Sequence, residues 1–434
     1  MKPFLVIITC ILTSLYYFPI QFPTLLPSIN SKLILATLGS VLFFYDITTK
    51  CHITAINNFV KLSLFAGLVT FASLCSISIN NTPDYSYAGY IFSMWVWVAA
   101  AYIIIKLIHY THGFISFRLI SNYLIVVCVL QCIFAIINDV SPSFKEWVDS
   151  YIDQGQDFIN NLTGTKRKYG IGANLDTAGV RFSAVLISIV IVIYQLSDEL
   201  KRKWLWFYSF AFIFITFEGN IISRTTIIGT ILALLYTCLN FKHYKTQSLD
   251  FNRKVIFSSI VLLLIGIGLT TYLYHTNIDF QKDIRFGFEG FFSLVEKGEW
   301  IVSSNDRLQS MYIFPESTKT WLIGDGYFSN PRYTDPYFIG KITGGYYMGT
   351  DVGFLRFIYY FGLVGLLSFA LFFIKCGQIY SSEYPKCKHY FWMIVMLNYI
   401  IWLKISTDLF CIFALFIAAD TIRTSYNNCQ TICE

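Results

Sequence analysis

Long apolar segments alternate with short polar ones along almost the whole chain. About a dozen have roughly the length of a membrane-spanning helix, which is about 17–25 residues. Such segments satisfy their backbone hydrogen bonds in a bilayer by forming helices, so the pattern predicts an all-α, polytopic bundle of about 12 transmembrane helices. We place the spans near residues 4–20, 31–47, 59–79, 88–107, 119–138, 180–196, 204–218, 221–239, 255–274, 351–374, 389–403 and 406–422.

Two longer polar segments interrupt this pattern. They cover residues 139–179 and 275–350, and the second precedes the last spans. We find no internal repeat, so we predict one integral membrane domain over residues 1–434, with a loop at 139–179 and a large loop at 275–350. The apolar run after Met1-Lys-Pro has no clear small-residue cleavage site, and we interpret it as a retained first span.

Composition agrees with a membrane protein whose first partner is a lipid bilayer. Hydrophobic residues make up 55% of the 434 residues and charged residues only 13%, which is outside the range of soluble domains. The formal charge of +6 is small for this length and does not indicate nucleic acid. The six His and 11 Cys show no metal-ligand spacing, and we find no Asp-x-Asp pair in the long polar segments. We therefore expect neither a metal nor another cofactor.

Basic residues in short loops set the expected orientation, because they stay on the cytoplasmic side of a membrane. Short loops on the opposite side, such as Asn80–Tyr90, carry no Lys or Arg, and Lys32 and Lys404 at span ends are exceptions. We expect both termini in the cytoplasm and both long polar segments outside it. The face that we predict to be cytoplasmic carries Lys50, Lys61, Lys106, Arg118, Lys201, Arg202, Lys203, Lys242, Lys245, Arg253, Lys254, Lys386 and Lys388.

Three arginines, Arg181, Arg224 and Arg356, fall at or just inside the outer ends of predicted spans. An arginine at the centre of a span costs about 2.5–3.5 kcal/mol, so a deep one usually faces a polar cavity. A single arginine at a helix end is often a snorkelling anchor, but several from separate segments favour a phosphate site, because the planar fork suits phosphate oxygens. Both interpretations stay open here. The outer segments add further cations, among them Lys166, Arg167, Lys168, Arg285 and Arg307.

A carboxylate stands where the large polar segment meets an apolar run, in Gly349-Thr-Asp351-Val-Gly-Phe-Leu-Arg356. Asp351 could cap the helix or favour its dipole. It could equally take a proton from a sugar hydroxyl in a partly dry cleft. The nearby Tyr346 and Tyr347 could stack on sugar rings or pack the loop, and both alternatives stay open.

Three short motifs, taken together, resemble the O-antigen polymerase and ligase superfamily. They are Ser223-Arg224-Thr-Thr at the start of a span, Asn305-Asp-Arg307 ahead of Gly324-Asp-Gly, and Gly349-Thr-Asp351-Val-Gly followed by Gly362-Leu-Val-Gly365. Their order, and the outer loop before the last spans, are similar over most of the chain. Each motif is short and degenerate, so the combination is more specific than any part.

The resemblance implies roles for individual residues. In the ligase branch, arginines at positions like those of Arg224 and Arg307 bind lipid pyrophosphate, and a histidine acts near the position of Asp351. This chain has no histidine there, which favours the polymerase branch, with Asp351 as the candidate base. The stretch from Gly172 to Phe182 also resembles polymerases, which implies that Arg181 belongs to the same pocket.

The activity implied is metal-independent, inverting glycosyl transfer on a GT-C-like helical scaffold, at the outer face of the bacterial cytoplasmic membrane. The enzyme would join polyprenyl-pyrophosphate-linked oligosaccharide repeat units, as donor and acceptor, into O-antigen or capsular polysaccharide, with a chain-length regulator as a further partner. A ligase-type transfer or a lipid-linked oligosaccharide flippase is the alternative, although a transporter more often shows paired halves and mid-membrane charges. Asp351, Arg224 and Arg307 are the predicted catalytic residues. The predicted substrate-binding residues are Arg181, Arg285, Arg356, Lys166, Arg167, Lys168, Tyr346 and Tyr347.

Overall fold

The structure, a computed structural model, consists mainly of α-helices. It describes residues 2–22, 26–50, 56–153, 168–240, 268, 270–340, 342–343 and 345–432. A two-stranded antiparallel pair, Gln21–Phe22 with Leu26–Asn30, joins the first two helices. The helices up to residue 240 are α1 (Lys2–Tyr17), α2 (Ser31–Lys50), α3 (Ile56–Asn80), α4 (Tyr90–His112), α5 (Phe117–Val140), α6 (Pro142–Tyr151), α7 (Leu175–Gln195), α8 (Asp198–Ile222) and α9 (Thr226–Leu239).

The large polar segment contains short helices, and the C-terminal part contains long ones. Two 3-10 turns, Tyr347–Gly349 and Pro385–Cys387, flank the longest helix. The helices after residue 270 that we name are α10 (Ile278–Gly287), α11 (Glu289–Lys297), α12 (Ser303–Ser310), α13 (Thr318–Leu322), α14 (Pro331–Thr334), α15 (Gly353–Glu383), α16 (Lys388–Trp402) and α17 (Phe410–Ile432).

The all-α prediction is confirmed, and several helices suit a membrane. In the described part of the chain, six helices are long and apolar enough to span a bilayer. Three shorter apolar helices are Lys2–Tyr17, Thr226–Leu239 and Phe410–Ile422. The span predicted at 255–274 lies mostly outside the described residues, and the total of about 12 spans stays a prediction. The six are Asn57–Asn80, Tyr90–His112, Phe117–Val140, Leu175–Gln195, Lys203–Ile222 and Gly353–Glu383.

The chain forms two compact units, which we call the first unit (Met1–Leu124 with Ser303–Glu434) and the second unit (Ile125–Val302). In the first unit, α15 packs against α3 and α16, and α4 packs against α1, α2 and α17. In the second unit, α8 and α9 both pack against α7. The predicted site residues fall in both units, so each unit is described by itself.

Helix α15 of the first unit is broken near its N-terminal end. Phe361 (φ −132°, ψ 15°) and Gly362 (φ 68°, ψ −171°) leave the helical conformation. Gly362 is required there, because its φ is positive and a Cβ would lie 2.2 Å from the Leu322 carbonyl carbon. The sequence pattern of an uninterrupted apolar run gives no sign of this break.

The break frees backbone carbonyls, and the segment Gly324–Gly326 satisfies them. The Asp325 N–H donates to the Tyr359 carbonyl at 2.6 Å, and the Gly326 N–H donates to the Tyr360 carbonyl at 3.1 Å. The Ser76 hydroxyl of α3 also donates to the Tyr360 carbonyl, at 2.6 Å. Irregular backbone within a span is tolerated only when its polar groups find such partners. The Gly-Asp-Gly motif is therefore a cap for the broken helix.

In the second unit, small residues bring α7 and α9 into close contact. A Cβ on Gly229 would lie 2.2 Å from the Ser183 Cα, and a Cβ on Gly179 would lie 2.5 Å from the Ser223 Oγ. Small residues at such crossings let helix backbones approach closely. The turn that holds Ser223 and Arg224 is thereby pressed against α7.

Candidate functional site

The predicted site residues are divided between the two units. Lys166 and Arg167 lie outside the described residues. The first unit holds Arg307, Tyr346, Tyr347, Asp351 and Arg356. The second unit holds Lys168, Arg181, Arg224 and Arg285.

Arg356, in the first turn of α15, is the most enclosed of these cations. Its guanidinium carbon lies 3.9 Å from the centroid of the Phe328 ring and 3.6 Å from that of Tyr346. Nη1 donates to the Ser406 hydroxyl at 2.6 Å, and Nη2 donates to the Phe328 carbonyl at 3.2 Å. Only 7% of the residue is exposed. A snorkelling arginine would reach water, so this side chain is a fixed internal cation and not a surface anchor.

Asp351 lies beside this guanidinium without touching it closely. Its Oδ1 is 4.0 Å from Arg356 Nη1, and its side chain is 36% exposed. Val352, not Asp351, occupies the N-cap position of α15, so a side-chain cap at that position is not its role. A carboxylate in this setting is open to solutes and has a cation within reach.

The two predicted tyrosines have different environments. Tyr346 is 41% exposed, and one face of its ring covers Arg356. The Tyr347 hydroxyl donates to Asp325 Oδ2 at 3.2 Å, and its ring contacts Tyr327 and Tyr359. Burial, and then the Asp325 carboxylate, raise the pKa of the Tyr347 phenol above its usual range. Tyr347 is therefore a neutral packing residue, and Tyr346 is the one with an accessible face.

Asp84, which the sequence analysis missed, holds the Phe328 segment in place. Its Oδ2 accepts the N–H groups of Phe328 at 2.9 Å and Ser329 at 2.8 Å. Its Oδ1 accepts the N–H of Ser86 at 3.1 Å, and the residue is 3% exposed. Asp84 lies in the short loop between α3 and α4, so the Arg356 cluster (Asp84, Phe328, Tyr346, Asp351, Arg356 and Ser406) draws on four separate segments. The sequence signal for Asp84 is that it is a carboxylate in an otherwise uncharged short loop.

Arg307 occupies a different setting in the same unit. It lies on α12, and its side chain is exposed. Its own carbonyl accepts the Ser310 hydroxyl at 2.7 Å. No ion pair or side-chain hydrogen bond fixes the Arg307 guanidinium within the part of the chain that the structure describes. The predicted pyrophosphate ligand is thus a solvated cation on a short helix.

The Arg224 side chain binds residues on both sides of the junction between α10 and α11. Its Nη1 lies 2.6 Å from Glu289 Oε2, and its Nε donates to the Phe286 carbonyl at 2.9 Å. The guanidinium carbon is also 4.1 Å from the centroid of the Phe286 ring. The side chain is 16% exposed, so the cation is positioned but still partly accessible.

One carboxylate fixes the turn on both sides of Arg224. The hydroxyls of Ser223 and Thr225 donate to Asp176 Oδ1 at 3.1 Å and 2.5 Å. Asp176 is in the first turn of α7, the helix that carries the half-buried Arg181 further along. The stretch from Gly172 to Phe182 therefore contributes a positioning carboxylate as well as the predicted cation.

Lys168 was predicted to attract an anionic ligand, but it is buried in an ion cluster. Its Nζ lies 2.9 Å from Asp283 Oδ2 and 3.1 Å from Asp139 Oδ2, with 7% of the side chain exposed. Burial alone would lower the pKa of this ammonium, but the hydrogen bond to Asp283 and the charges of Asp283, Glu218 and Asp139 outweigh it and raise the pKa. Lys168 thus joins α5 to α10.

Arg285 is more exposed and is engaged within its own region. Its Nη1 donates to the Tyr274 hydroxyl at 3.0 Å, and its Nη2 donates to Glu296 Oε2 at 2.7 Å. Among the described residues, no group of three or more His, Cys, Asp or Glu side chains could hold a metal ion.

Comparisons with known proteins add no relative. No protein-family model matches the chain, and neither curated proteins nor solved structures give a significant match. The resemblance to the polymerase and ligase superfamily stays a prediction.

Proposed function

We propose that this protein polymerises polyprenyl-pyrophosphate-linked oligosaccharide repeat units by inverting, metal-independent glycosyl transfer. In this proposal about 12 spans form a GT-C-like scaffold in the bacterial cytoplasmic membrane. Both termini face the cytoplasm, and the site lies at the outer face. The product is O-antigen or capsular polysaccharide, and a chain-length regulator is a further partner.

The observation that carries the proposal is the geometry of Asp351 and Arg356. A half-exposed carboxylate lies 4.0 Å from a cation whose position is fixed by Phe328, Tyr346 and Ser406. A carboxylate of this kind can orient an acceptor hydroxyl and accept its proton. The accessible face of Tyr346 suits the apolar face of a sugar ring.

In the proposed step, the acceptor hydroxyl oxygen attacks the anomeric carbon of the donor glycan. Its proton passes to Asp351 as the new C–O bond forms. The bond from the anomeric carbon to the pyrophosphate oxygen breaks, and polyprenyl pyrophosphate leaves with the bonding electrons. Arg224, Arg307 and Arg181 offset the charge on this leaving group, which is the kind of stabilisation that lowers such barriers most.

Glu289 limits what Arg224 can do before substrate arrives. Its carboxylate already contacts the Arg224 guanidinium at 2.6 Å, so a phosphate oxygen must compete with it. The Phe286 carbonyl and ring hold the same guanidinium from other directions. The cation therefore stays oriented while the anionic partner changes.

The test is glycan length made by purified protein in proteoliposomes that contain the lipid-linked repeat unit. Loss of the polymer ladder is expected for Asp351→Asn, Arg224→Ala and Arg307→Ala. The matched control is Arg332→Ala, which removes an exposed arginine of the same large polar segment outside the proposed site. Normal ladders in all three site variants would contradict the proposed roles.

A lipid-linked oligosaccharide flippase is the second candidate, and the break in α15 favours it. Discontinuous helices build the substrate sites of many transporters, and α15 is interrupted at Phe361 and Gly362. The same proteoliposomes separate the two functions. Movement of the lipid across the bilayer without lengthening of the glycan would replace the polymerase proposal with the flippase.

A further inference from the structure

Helix α11 of the second unit exposes apolar residues and buries small ones, which is the reverse of a water-facing helix. Its buried residues are the small Gly290 and Ser293. Three of its four large apolar residues point outward, with Phe291 50%, Leu294 47% and Val295 84% exposed, and the fourth, Phe292, is half-buried and stacks on Tyr274. A surface helix in water buries its apolar stripe and exposes its polar one, so this outward stripe requires an apolar partner.

The residues that follow α11 pack against its inner face. The Ser293 hydroxyl donates to the Glu299 carbonyl at 2.8 Å and accepts the Ile301 N–H at 3.2 Å. A Cβ on Gly290 would lie 2.5 Å from the Trp300 ring, so a larger residue could not replace glycine on that face. At the start of α11, Glu289 Oε2 lies 2.6 Å from Arg224 Nη1, and this contact to another segment of the unit holds the rotation of the helix with its apolar stripe outward.

The outward stripe is continuous with the exposed side of the span α8. Phe210, 48% exposed on α8, stacks on Phe214 at 5.5 Å. One turn further along, Phe217 contacts Phe288 at 5.8 Å. Phe288 contacts Phe291 at 6.4 Å. A line of aromatic rings thus leads from the side of a span to α11.

Phe291 in turn contacts Trp300, with ring centroids 5.0 Å apart. The exposed apolar side of a span faces lipid, and aromatic rings concentrate where acyl chains meet headgroups. The other side of the α10–α11 region carries long charged side chains. Arg285 is 43% exposed and Glu296 is 44% exposed. Apolar residues on one side and long charged ones on the other are typical of helices that lie in a membrane interface.

We propose that α11, with the adjoining end of α10, lies in the interfacial layer of the same bilayer that α8 crosses. The Phe291, Leu294 and Val295 side chains enter the boundary of the acyl chains, and Trp300 sits at headgroup level. This part of the large polar segment is therefore a lipid-immersed layer and not a water-facing loop. The proposal does not depend on the enzymatic activity and holds equally for a flippase.

The experiment measures which quencher reaches Trp300 in proteoliposomes. One set contains phosphatidylcholine brominated close to the headgroup, and the other contains unbrominated lipid with iodide in the water. The difference between the wild-type and Trp300→Phe emission isolates one of the nine tryptophans. The matched control is Trp206→Phe, which isolates a tryptophan 52% exposed on α8. We expect several-fold stronger quenching of Trp300 by brominated lipid than by iodide, as for Trp206.

A second variant guards against loss of folding in Trp300→Phe. Val295→Trp adds a probe at a position that is 84% exposed, where a larger side chain meets little protein. Its added emission is expected to show the same preference for brominated lipid. Quenching of either probe mainly by iodide would place α11 in water, and shielding from both quenchers would indicate a protein partner. Either result would overturn the proposal.

Discussion

Two arginine–carboxylate pairs, one in each unit, differ in how closely the carboxylate approaches the guanidinium. Arg224 and Glu289 are in direct contact at 2.6 Å, with the Arg224 side chain 16% exposed. Arg356 and Asp351 stay 4.0 Å apart although the Arg356 side chain is only 8% exposed. The more buried cation thus has the more distant carboxylate.

The difference is explained by what else holds each cation. Arg356 lies between two aromatic faces and donates to neutral oxygens of Ser406 and Phe328. Stacking and neutral acceptors stabilise a buried guanidinium without neutralising its charge. The Arg356 charge therefore acts on Asp351, 4.0 Å away, whereas Glu289 offsets the charge of Arg224.

The largest expected effect on activity comes from replacing Asp351, the carboxylate 4.0 Å from Arg356. Asp351→Asn keeps the shape but removes the base, and the polymerisation rate should fall about 10²–10⁴-fold, the usual contribution of a general base. The melting temperature should stay near that of the wild type, because the carboxylate is half-exposed. Ladder formation over time and thermal unfolding in detergent measure the two quantities. An unchanged rate would leave Asp351 without a chemical role.

Arg356→Ala should reduce stability most among the charge variants. It leaves a cavity between two rings and removes two hydrogen bonds, which together cost about 2–4 kcal/mol. The matched variant Arg356→Met fills the space without the charge. Thermal unfolding should show partial recovery in Arg356→Met, while the ladder stays absent in both. A full ladder in Arg356→Met would show that the Arg356 charge is not needed.

Arg224→Ala should affect activity more than stability. A partly exposed ion pair contributes about 0–1 kcal/mol and a hydrogen bond about 0.5–1.5 kcal/mol, so the melting temperature should fall less than in Arg356→Ala while the ladder is lost. If the melting temperature instead fell as far as in Arg356→Ala, Arg224 would be a structural clamp, and the contrast between the two pairs would disappear.

Glu289→Gln is expected to have the smallest effect, and it should improve donor binding. Glu289→Gln removes the carboxylate that competes with phosphate for Arg224, so the KM for the lipid-linked donor should fall several-fold with kcat little changed. Initial rates at varied donor concentration test this. A rise in KM would mean that Glu289 orients Arg224 for the substrate, and that contact would then be part of the binding site.

The sequence predicted the all-α, membrane-type character because long apolar runs are a local signal that survives folding. Asp351 and Arg356 are close because few residues separate them where the large polar segment meets α15. The sequence could not predict Asp84 reaching Phe328 and Ser329, because that contact joins segments far apart in the chain. Lys168 shows the same limit, as its carboxylate partners come from α5 and α10.

Backbone conformation was a second limit. The apolar run after Asp351 reads as one helix, and only the packing of Leu322 against Gly362 reveals the break. The Gly324-Asp-Gly motif was recognised by resemblance, while its hydrogen bonds to Tyr359 and Tyr360 give it a physical role.

The broken helix also has a consequence for the biogenesis of the protein. Ribosomes deliver the chain from its N-terminus, so Ser76 and Gly324–Gly326 emerge before the Tyr359 and Tyr360 carbonyls that they satisfy. Early insertion of α15 by the translocation machinery would therefore leave two backbone acceptors unpaired until the preceding segment returns to them. Assembly of this unit therefore includes the packing of Gly324–Gly326 onto the break in α15.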